Sequence, residues 1–254
     1  MILDTFRLDG RVALITGGNR GLGQACAIAL AEAGADIALL GRTDPAATTQ
    51  RIEALGRKTH YVQCDLAAAG PTAFAEAVTT VQSALGRLDI LVNNAGIIRR
   101  TPAEAVPQAD WDEVMTVNVD AVFQLSQAAG RVMIAQGSGK IINIASMLSF
   151  QGGIRVPAYT AGKHAVLGIT RALANEWAGL GVNVNAIAPG YMVTDNTAAL
   201  REDPARAGSI LERIPAGHWG AADDLGGAVV FLASEAARYV HAAVLPVDGG
   251  WLAR

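Results

Sequence analysis

Tyr159 and Lys163 are the residues whose types and spacing most directly indicate chemistry. They are four positions apart in a segment of helical pattern, so both side chains should lie on one face of a helix. An ammonium group beside a phenol favours the phenolate and lowers the phenol pKa towards neutrality, which suits proton exchange with a ketone or an alcohol. Ser146 stands 13 residues before Tyr159 and could hydrogen-bond the same substrate oxygen. The three residues predict acid–base catalysis at a carbonyl, although an isolated pair of this spacing is more often an ordinary surface pair.

The glycine-rich stretch Thr16–Gly23, with the sequence TGGNRGLG, predicts a phosphate-binding turn. It follows an apolar run and precedes an amphipathic pattern, which is the order of strand, turn and helix in a dinucleotide site. Gly17, Gly21 and Gly23 would let the backbone approach a pyrophosphate, and the helix N-terminus would offer unpaired N–H groups. The spacing departs from Gly-x-Gly-x-x-Gly, and the alternative is a tight turn that needs glycine for its conformation alone.

The end of the second apolar run bears on the kind of dinucleotide. An acidic side chain there binds the ribose hydroxyls of NAD, whereas an arginine accommodates the 2′-phosphate of NADP. Here Gly41 is followed by Arg42, and Arg20 in the glycine-rich turn adds a second positive charge. The two arginines favour NADP(H), and NAD(H) is the alternative if both are solvated surface charges.

These motifs need a scaffold that brings strand ends together. Short apolar runs alternate with longer segments of helical periodicity, and the predicted strands are Val12–Thr16, Ile37–Leu40, His60–Cys64, Ile90–Asn93, Lys140–Ala145, Val182–Ala188 and Val244–Val247. This alternation predicts an α/β fold, a Rossmann-like doubly wound parallel sheet of about seven strands with helices on both faces. Ligands of such sheets bind beyond the carboxyl ends of the strands.

The first helical pattern should end at Gly34, and Asp44-Pro45 should start the second helix as N-cap and first helical residue. We expect residues 1–254 to form a single dinucleotide-binding domain, with a loop and helices towards the C-terminus on the substrate side.

Composition narrows the function classes. The chain has 254 residues, of which 51% are hydrophobic and 17% charged, so it should fold around a substantial core. A net charge of −3 gives no basic surface for nucleic acid, and the apolar runs are too short to cross a membrane. The N-terminus does not resemble a signal peptide. Cys26 and Cys64 have no metal-ligand spacing, and they indicate a reducing cytoplasm with neither a disulfide framework nor a metal site.

Together the motifs resemble the short-chain dehydrogenase/reductase family over nearly the whole chain. The matching segments are Thr16–Gly23, Asp65-Leu66, Asn93–Gly96 (NNAG), Asn118, Ser146, Tyr159–Lys163 (YTAGK), Pro189-Gly190 and Thr194. The resemblance implies an oxidoreductase that transfers a hydride between NAD(P) and a secondary alcohol or its ketone. It also implies that Tyr159 is the acid–base, that Ser146 orients the substrate oxygen, and that Lys163 holds the nicotinamide ribose while tuning Tyr159.

The same resemblance implies roles for other residues. Asn118 would place a water for a proton relay through Lys163, Asp65 would meet the adenine, and Thr194 would meet the carboxamide. The implied cofactor contacts are Gly17, Asn19, Arg20, Gly21, Leu22, Gly23, Arg42, Asp65, Leu66, Asn93, Ala95, Gly96, Tyr159, Lys163, Pro189, Gly190, Met192 and Thr194. Without the family, Asn118 could be a buried amide paired with backbone, and Asp65 a cap at a strand end.

Several segments resemble, more narrowly, the sugar-acid dehydrogenases of that family. They are Ile141–Lys163, Asn93–Arg100, Asn183–Thr194, Arg213–Gly220 and the terminal VDGGWLAR. They imply a keto-deoxy sugar acid as substrate. They also favour NAD(H) as the cofactor, whereas Arg42 and Arg20 favour NADP(H). Two departures bear on the substrate: His218 replaces an arginine, and Gly162 and His164 change the surroundings of Lys163.

Arg155, Gln151 and Arg99 flank the predicted site beside Ser146. An arginine fork suits a carboxylate, and the alternative is that each arginine only forms a structural salt bridge.

Two other functions fit parts of the pattern. One is a reductase of another polyol, sterol or acyl-thioester ketone. The other is a redox-sensing module that keeps the cofactor site without turnover, against which the intact Ser146, Tyr159 and Lys163 argue. The resemblance implies a homotetramer, and we expect neither a nucleic-acid nor a membrane partner.

Overall fold

One seven-stranded sheet organises the protein, whose computed structural model describes residues 1–254. The strands lie in the order β3-β2-β1-β4-β5-β6-β7, and every neighbouring pair is parallel. Their bounds are β1 Val12–Thr16, β2 Asp36–Gly41, β3 Thr59–Gln63, β4 Ile90–Asn93, β5 Gly139–Ile144, β6 Val182–Pro189 and β7 Val244–Val247. The predicted fold class is confirmed, and each strand boundary lies within one residue of its predicted position.

Helices cover both faces of the sheet. Their bounds are α1 Gly21–Glu32, α2 Ala46–Ala54, α3 Pro71–Leu85, α4 Gln108–Met115, α5 Ala121–Gln136, α6 Pro157–Trp177, α7 Ala198–Arg201, α8 Pro204–Leu211 and α9 Gly226–Ala233. One apolar core packs α3 and α5 against the sheet, and a second core of similar size packs α1 and α9 against the opposite face. None of the helices is both long enough and apolar enough to cross a membrane.

Position in the sheet explains the composition of the strands. Every residue of β1, β5 and β6 is buried, because helices cover both of their faces. The edge strands β3 and β7 keep partly exposed residues. The uniformly apolar runs in the sequence therefore correspond to strands in the interior of the sheet.

The ends of the first two helices show where local prediction holds and where it fails. Helix α1 stops just before Gly34, whose φ of 113° needs glycine, as predicted. Helix α2 begins at Ala46, one residue later than predicted, and Asp44 does not cap it. Pro45 stands at the N-cap instead, because its ψ of 34° lies outside the helical range.

The winding of the sheet changes direction between β1 and β4. Crossovers lead from β1 outwards to β2 on one side and from β4 outwards to β5 on the other. The segments that follow β1 and β4 therefore border a crevice at the carboxyl edge of the sheet, the usual ligand site of this fold. The Thr16 hydroxyl joins the two segments by accepting hydrogen bonds from the backbone N–H groups of Asn94 and Ala95, both at 2.9 Å.

Candidate active site

The glycine-rich turn forms the floor of the crevice, and its glycines are required by space and conformation. Gly17 and Gly21 have φ values of 66° and 55°, a region that residues with a Cβ rarely adopt. A Cβ on Gly23 would lie 2.3 Å from the carbonyl oxygen of Gly17. Helix α1 begins at Gly21 without a side-chain cap, so its first N–H groups stay available to an anion.

Asn94 holds this turn, and the sequence analysis did not single it out. Its Nδ2 donates to the carbonyl oxygens of Thr16 at 2.9 Å and Gly17 at 3.3 Å. Asn93, which was predicted to contact the cofactor, is buried instead and donates to Ser126 Oγ and Asn143 Oδ1. Successive side chains at the end of a strand face opposite sides, so the Asn93 side chain lies in the interior and the Asn94 side chain lies at the crevice.

Two arginines, Arg20 and Arg42, border the cleft, and they differ in their partners. Arg20 pairs with Asp195 at 2.6 Å, which joins the glycine-rich turn to the segment before α7. The Arg42 side chain is 68% exposed, and its Nη1 lies 3.9 Å from Asp65. The Asp65 carboxylate also accepts from the N–H of Ala67 at 3.0 Å, so it caps the turn after β3 as well as facing the cleft.

Tyr159 and Lys163 lie on the first two turns of α6 and face the carboxyl end of β5. Lys163 is buried, and its Nζ donates to the carbonyl oxygen of Ile144 at 2.6 Å. The same Nζ lies 5.6 Å from the centre of the Tyr159 ring. Burial lowers the pKa of Lys163 to about 8. Ser146 follows β5 and starts a short helical turn, in which its Oγ accepts from the N–H of Leu148 at 3.1 Å.

The pKa of Tyr159 corrects one expectation. Burial raises this pKa above its ordinary value, and a hydrogen bond from Ser146 and the charge of Arg100 only partly offset the rise. The prediction that Lys163 brings the pKa towards neutrality was wrong for this structure. The Lys163 ammonium is directed to the Ile144 carbonyl, and burial weakens its own charged form.

Asn118 lies in a π-helical stretch, Thr116–Asp120, between α4 and α5. Its Oδ1 accepts from the N–H of Ile97 and its Nδ2 donates to the Ile97 carbonyl, both at 2.9 Å. The amide is therefore engaged with backbone through its oxygen and one N–H, and the placement of a water by Asn118 stays a prediction. The side chain fixes the segment beside Lys163, since a Cβ on Gly96 would lie 3.2 Å from Asn118 Oδ1 and 3.8 Å from Lys163 Nζ.

The predicted substrate arginines, Arg99 and Arg155, and their neighbour Arg100 differ in position and in partners. Arg99 borders the cleft but forms an ion pair with Glu113 at 2.7 Å. Arg155 is exposed, has a φ of 63° and lies outside the cleft lining. The charge of Arg100 lowers the pKa of Tyr159, and its Nη2 donates to the carbonyl oxygen of Asn196 at 3.0 Å. The sequence signals for Arg100 were its position beside Arg99 and its place in the segment Asn93–Arg100, which resembles the sugar-acid subgroup.

Aromatic side chains form a cluster beside the catalytic residues. The Tyr191 ring contacts the rings of Trp251 at 4.7 Å and Trp219 at 5.4 Å between centroids. The Arg213 guanidinium lies 4.1 Å from the centre of the Trp251 ring. Burial raises the pKa of Tyr191, while the charges of Arg206, Arg213 and Arg100 lower it. The cluster is therefore surrounded by positive charge.

The residues that depart from the sugar-acid subgroup lie outside the cleft lining. A Cβ on Gly162 would lie 3.4 Å from the Asn118 Cβ, so this glycine permits close packing of α6. His164 is exposed, with Nδ1 2.9 Å from the Thr160 carbonyl oxygen. His218 is exposed beside Trp219.

Most of the predicted site residues border one cleft. They are Gly17, Asn19, Arg20, Gly21, Leu22, Gly23, Arg42, Asp65, Leu66, Ala95, Gly96, Arg99, Ser146, Tyr159, Lys163, Pro189, Gly190, Met192 and Thr194. Asn93, Asn118, Gln151 and Arg155 are outside that lining. The cradle that a Cβ on Gly23 would obstruct and the uncapped start of α1 fit a pyrophosphate, and the exposed Arg42 fits a further phosphate. No group of three or more His, Cys, Asp or Glu side chains could hold a metal ion.

Known proteins resemble the chain over its full length. The sequence model of the short chain dehydrogenase family matches residues 11–205. A 2-dehydro-3-deoxy-D-gluconate 5-dehydrogenase of Dickeya dadantii (strain 3937) is 55% identical over 255 residues, with 100% of both chains covered.

Two solved structures share the fold closely. An Agrobacterium tumefaciens protein with bound NADP is 55% identical, with 98% of this chain and 99% of that chain covered and a TM-score of 0.93. A gluconate 5-dehydrogenase from Burkholderia cenocepacia J2315, in complex with NADP and tartrate, is 42% identical over 100% of both chains, with a TM-score of 0.95.

The chain belongs to the short-chain dehydrogenase family. It is an NAD(P)-dependent oxidoreductase, and its catalytic cleft lies at the carboxyl edge of the sheet.

Proposed function

We propose that the protein is a 2-dehydro-3-deoxy-D-gluconate 5-dehydrogenase, which interconverts a keto-deoxy sugar acid and its oxidised form. The observation that carries the proposal is the hydrogen bond from Arg100 Nη2 to the carbonyl oxygen of Asn196, which holds the guanidinium at the rim of the cleft that contains Ser146 and Tyr159. A positive charge at this rim suits a substrate that carries a carboxylate. The full-length similarity to the Dickeya dadantii enzyme supports the same substrate class.

Ser146, Tyr159 and Lys163 each have a different role in the proposed reaction. A bound nicotinamide cofactor supplies or accepts the hydride. Ser146 donates a hydrogen bond to the reacting oxygen of the substrate, and Tyr159 gives that oxygen a proton in reduction and takes it back in oxidation. Lys163 is held by the Ile144 carbonyl at the base of the site, where its ammonium can bind the ribose hydroxyls of the cofactor.

We propose that Arg100 binds the substrate carboxylate. Its Nη2 donates to the carbonyl oxygen of Asn196 at 3.0 Å, and Asn196 borders the same cleft as Ser146 and Tyr159. Arg99 is less suited, because Glu113 already neutralises it. Arg155 and Arg100 are both exposed and outside the cleft lining, but only Arg100 is held at the cleft, through its hydrogen bond to the carbonyl oxygen of Asn196. Arg100 therefore replaces Arg155 as the first candidate for this role.

The test compares Arg100→Ala with Arg155→Ala, using 2-dehydro-3-deoxy-D-gluconate and a neutral polyol of similar size. Losing a charged hydrogen bond should cost about 1.5–3 kcal/mol, or roughly 10–150-fold in kcat/KM for the acid. The neutral substrate should lose much less, since it never had the contact, and Arg155→Ala should stay near wild type on both. Equal losses on the two substrates would show that Arg100 only holds the loop. A wild type that prefers the polyol would remove the sugar-acid assignment.

We propose that NADP(H) is the preferred cofactor. The support is Arg42, which is mostly exposed and only loosely paired with Asp65, together with NADP in two related structures. Arg42→Asp should lower kcat/KM for NADP(H) by about 10–150-fold, the equivalent of one charged hydrogen bond. The corresponding value for NAD(H) should change little or rise. An unchanged ratio between the cofactors would make Arg42 a surface charge without a role in selection.

We further propose a cytoplasmic homotetramer, on the basis of the family resemblance. Cys26 and Cys64 are both unpaired, which fits a reducing compartment. Exposed apolar side chains such as Phe123 of α5 and Ile154 fit burial between subunits. Light scattering of the purified protein should give four times the mass of one chain, and a monomer mass would contradict the proposal.

A further inference from the structure

The C-terminal segment contacts the loop after Ser146 through a single side-chain hydrogen bond. Trp251 Nε1 donates to Gln151 Oε1 at 2.9 Å, across 100 positions of sequence. An indole N–H is a donor only, so it can pair only with the oxygen of the amide. The bond therefore sets which way the Gln151 amide points and leaves its Nε2, with two N–H donors, without a partner in the protein.

We propose that Trp251 is a positioning residue for the substrate: it orients the Gln151 amide so that the two N–H donors face the oxygens of the sugar acid. The inference rests on the proposed function and deepens it. In the opposite orientation the amide would present its oxygen, an acceptor, which cannot bind a carboxylate. The indole thus determines whether this position favours an anionic, oxygen-rich substrate.

Trp251 is suited to this role because its own position is fixed. The side chain is 6% exposed and is packed between the Tyr191 ring and the Arg213 guanidinium. The Asp248 carboxylate fixes the backbone on either side, since it accepts from the N–H groups of Gly250 and Leu252, both at 2.9 Å. A fixed donor holds its acceptor at low entropic cost.

The location of Gln151 relates the amide to the substrate side. Gln151 stands five residues after Ser146, and its backbone N–H donates to the carbonyl oxygen of Met147 at 3.2 Å, so the loop turns back towards Ser146. Met147 and Trp251 belong to one buried apolar cluster, against which Tyr191 also packs. The cluster therefore joins Trp251, and through it the Gln151 amide, to the turn that begins at Ser146.

The first test is Trp251→Phe, which removes the indole N–H and keeps an aromatic ring. The KM for 2-dehydro-3-deoxy-D-gluconate should rise by roughly 2–12-fold, the range of a neutral hydrogen bond. The KM for NADP(H) should change less, because neither Trp251 nor Gln151 belongs to the part of the cleft formed by the glycine-rich turn, Arg42 and Asp65. Trp219→Phe is the matched control: it removes an indole from the same aromatic cluster, and this indole has no hydrogen-bond partner in the protein.

A double-mutant cycle with Gln151→Ala then separates positioning from general packing. If Trp251 acts through the amide, Trp251→Phe adds nothing to the KM of the Gln151→Ala enzyme, whereas a merely structural effect multiplies. Gln151→Glu keeps an acceptor for the indole but replaces the N–H donors with a carboxylate oxygen, and the KM for the acid should rise more than 10-fold by repulsion.

The outcomes distinguish this inference from the proposed function. A wild type that uses the sugar acid, with a Trp251→Phe variant at wild-type KM, overturns the positioning role and leaves the proposed function standing. Independent, multiplying effects in the cycle do the same. A wild type that does not use the acid overturns the proposed function and this inference together.

Discussion

A buried amine and a phenol occupy the first two turns of α6, and burial shifts the pKa of each. Burial raises the pKa of Tyr159, so the phenol is protonated at neutral pH and ready to donate in ketone reduction. Alcohol oxidation needs the phenolate, which burial opposes and which Ser146 and Arg100 favour. The direction of the reaction is therefore coupled to pH through a single hydroxyl group.

Removing that hydroxyl should abolish turnover without disturbing the cofactor cleft. Tyr159→Phe keeps the ring and removes the hydroxyl group with its exchangeable proton. General acid catalysis contributes about 10²–10⁴-fold, so kcat should fall by at least that range in both directions. Fluorescence titration of NADPH should show binding close to wild type. Activity near the wild-type level in the purified variant would rule out Tyr159 as the acid–base.

Arg100 should also affect the pH profile. Its charge lowers the pKa of Tyr159, so Arg100→Gln should raise that pKa and move the rise of alcohol oxidation to higher pH. Ketone reduction falls as the pH increases through the same ionisation, and its decline should shift to higher pH as well. Profiles of kcat at saturating substrate, with a deuterated alcohol to show that chemistry is limiting, provide the measurement.

Arg99→Gln is the matched control for the pH profile, because Glu113 already neutralises Arg99. This variant should keep the wild-type midpoint. If the Arg99 and Arg100 variants shift the profile equally, the effect comes from the loop and not from the charge of Arg100.

At the scale of elements, the turn between β1 and α1 is packed so tightly that Gly23 leaves no room for a side chain. Gly23→Ala would place a Cβ 2.3 Å from the Gly17 carbonyl oxygen and 2.4 Å from Asn94 Nδ2, so the turn must open. We expect a loss of NADPH affinity of at least 10-fold by titration, because the N–H groups of the turn then lose their arrangement.

Gly168 offers a control of the same chemical change within α6. A Cβ there meets nothing within 4 Å. Gly168→Ala should therefore leave NADPH affinity unchanged and raise the free energy of unfolding by up to about 1 kcal/mol through helix propensity. An equal loss of affinity in both variants would show that neither glycine acts locally on the turn.

The strands and their neighbours also show which features of the fold and the site can be predicted from the sequence. Strand positions follow from burial, since strands covered on two faces must be apolar runs bounded by turns. Tertiary partners do not follow from such patterns. Asn93 and Asn94 are identical in type, and only the packed sheet decides which one reaches the crevice. Arg99 and Arg100 are likewise adjacent, and the position of Glu113 on α4 assigns one of them to an ion pair.

At the scale of the whole molecule, the proposed catalytic site and a charged cluster that stabilises the fold lie at opposite edges of the sheet. The proposed catalytic residues Ser146, Tyr159 and Lys163 lie at the carboxyl end of β5, whereas a charged cluster ties together the amino ends of β1 and β4. At its centre is Asp89, whose side chain is 4% exposed. It accepts from the Val12 N–H at 2.9 Å, from Arg87 Nε and Nη2 at 2.7 Å each, and from Arg11 Nη1 at 3.1 Å.

Asp89→Asn should therefore lower stability while sparing the chemistry. The amide keeps the shape but loses the charge and one acceptor, so Arg87 and Arg11 are left incompletely paired. Because both arginines are partly exposed, the loss should resemble a charged hydrogen bond, about 1.5–3 kcal/mol, and not the full cost of a broken buried pair. Urea unfolding should show this loss, with a fall in Tm of roughly 3–12 °C, while kcat at 25 °C stays near wild type. Asp9→Asn, in the exposed pair with Arg7, should barely move the Tm. If the two variants lose the same free energy of unfolding, Asp89 does not tie the strands together. If kcat falls sharply while the Asp89→Asn protein remains folded, the two edges of the sheet are coupled.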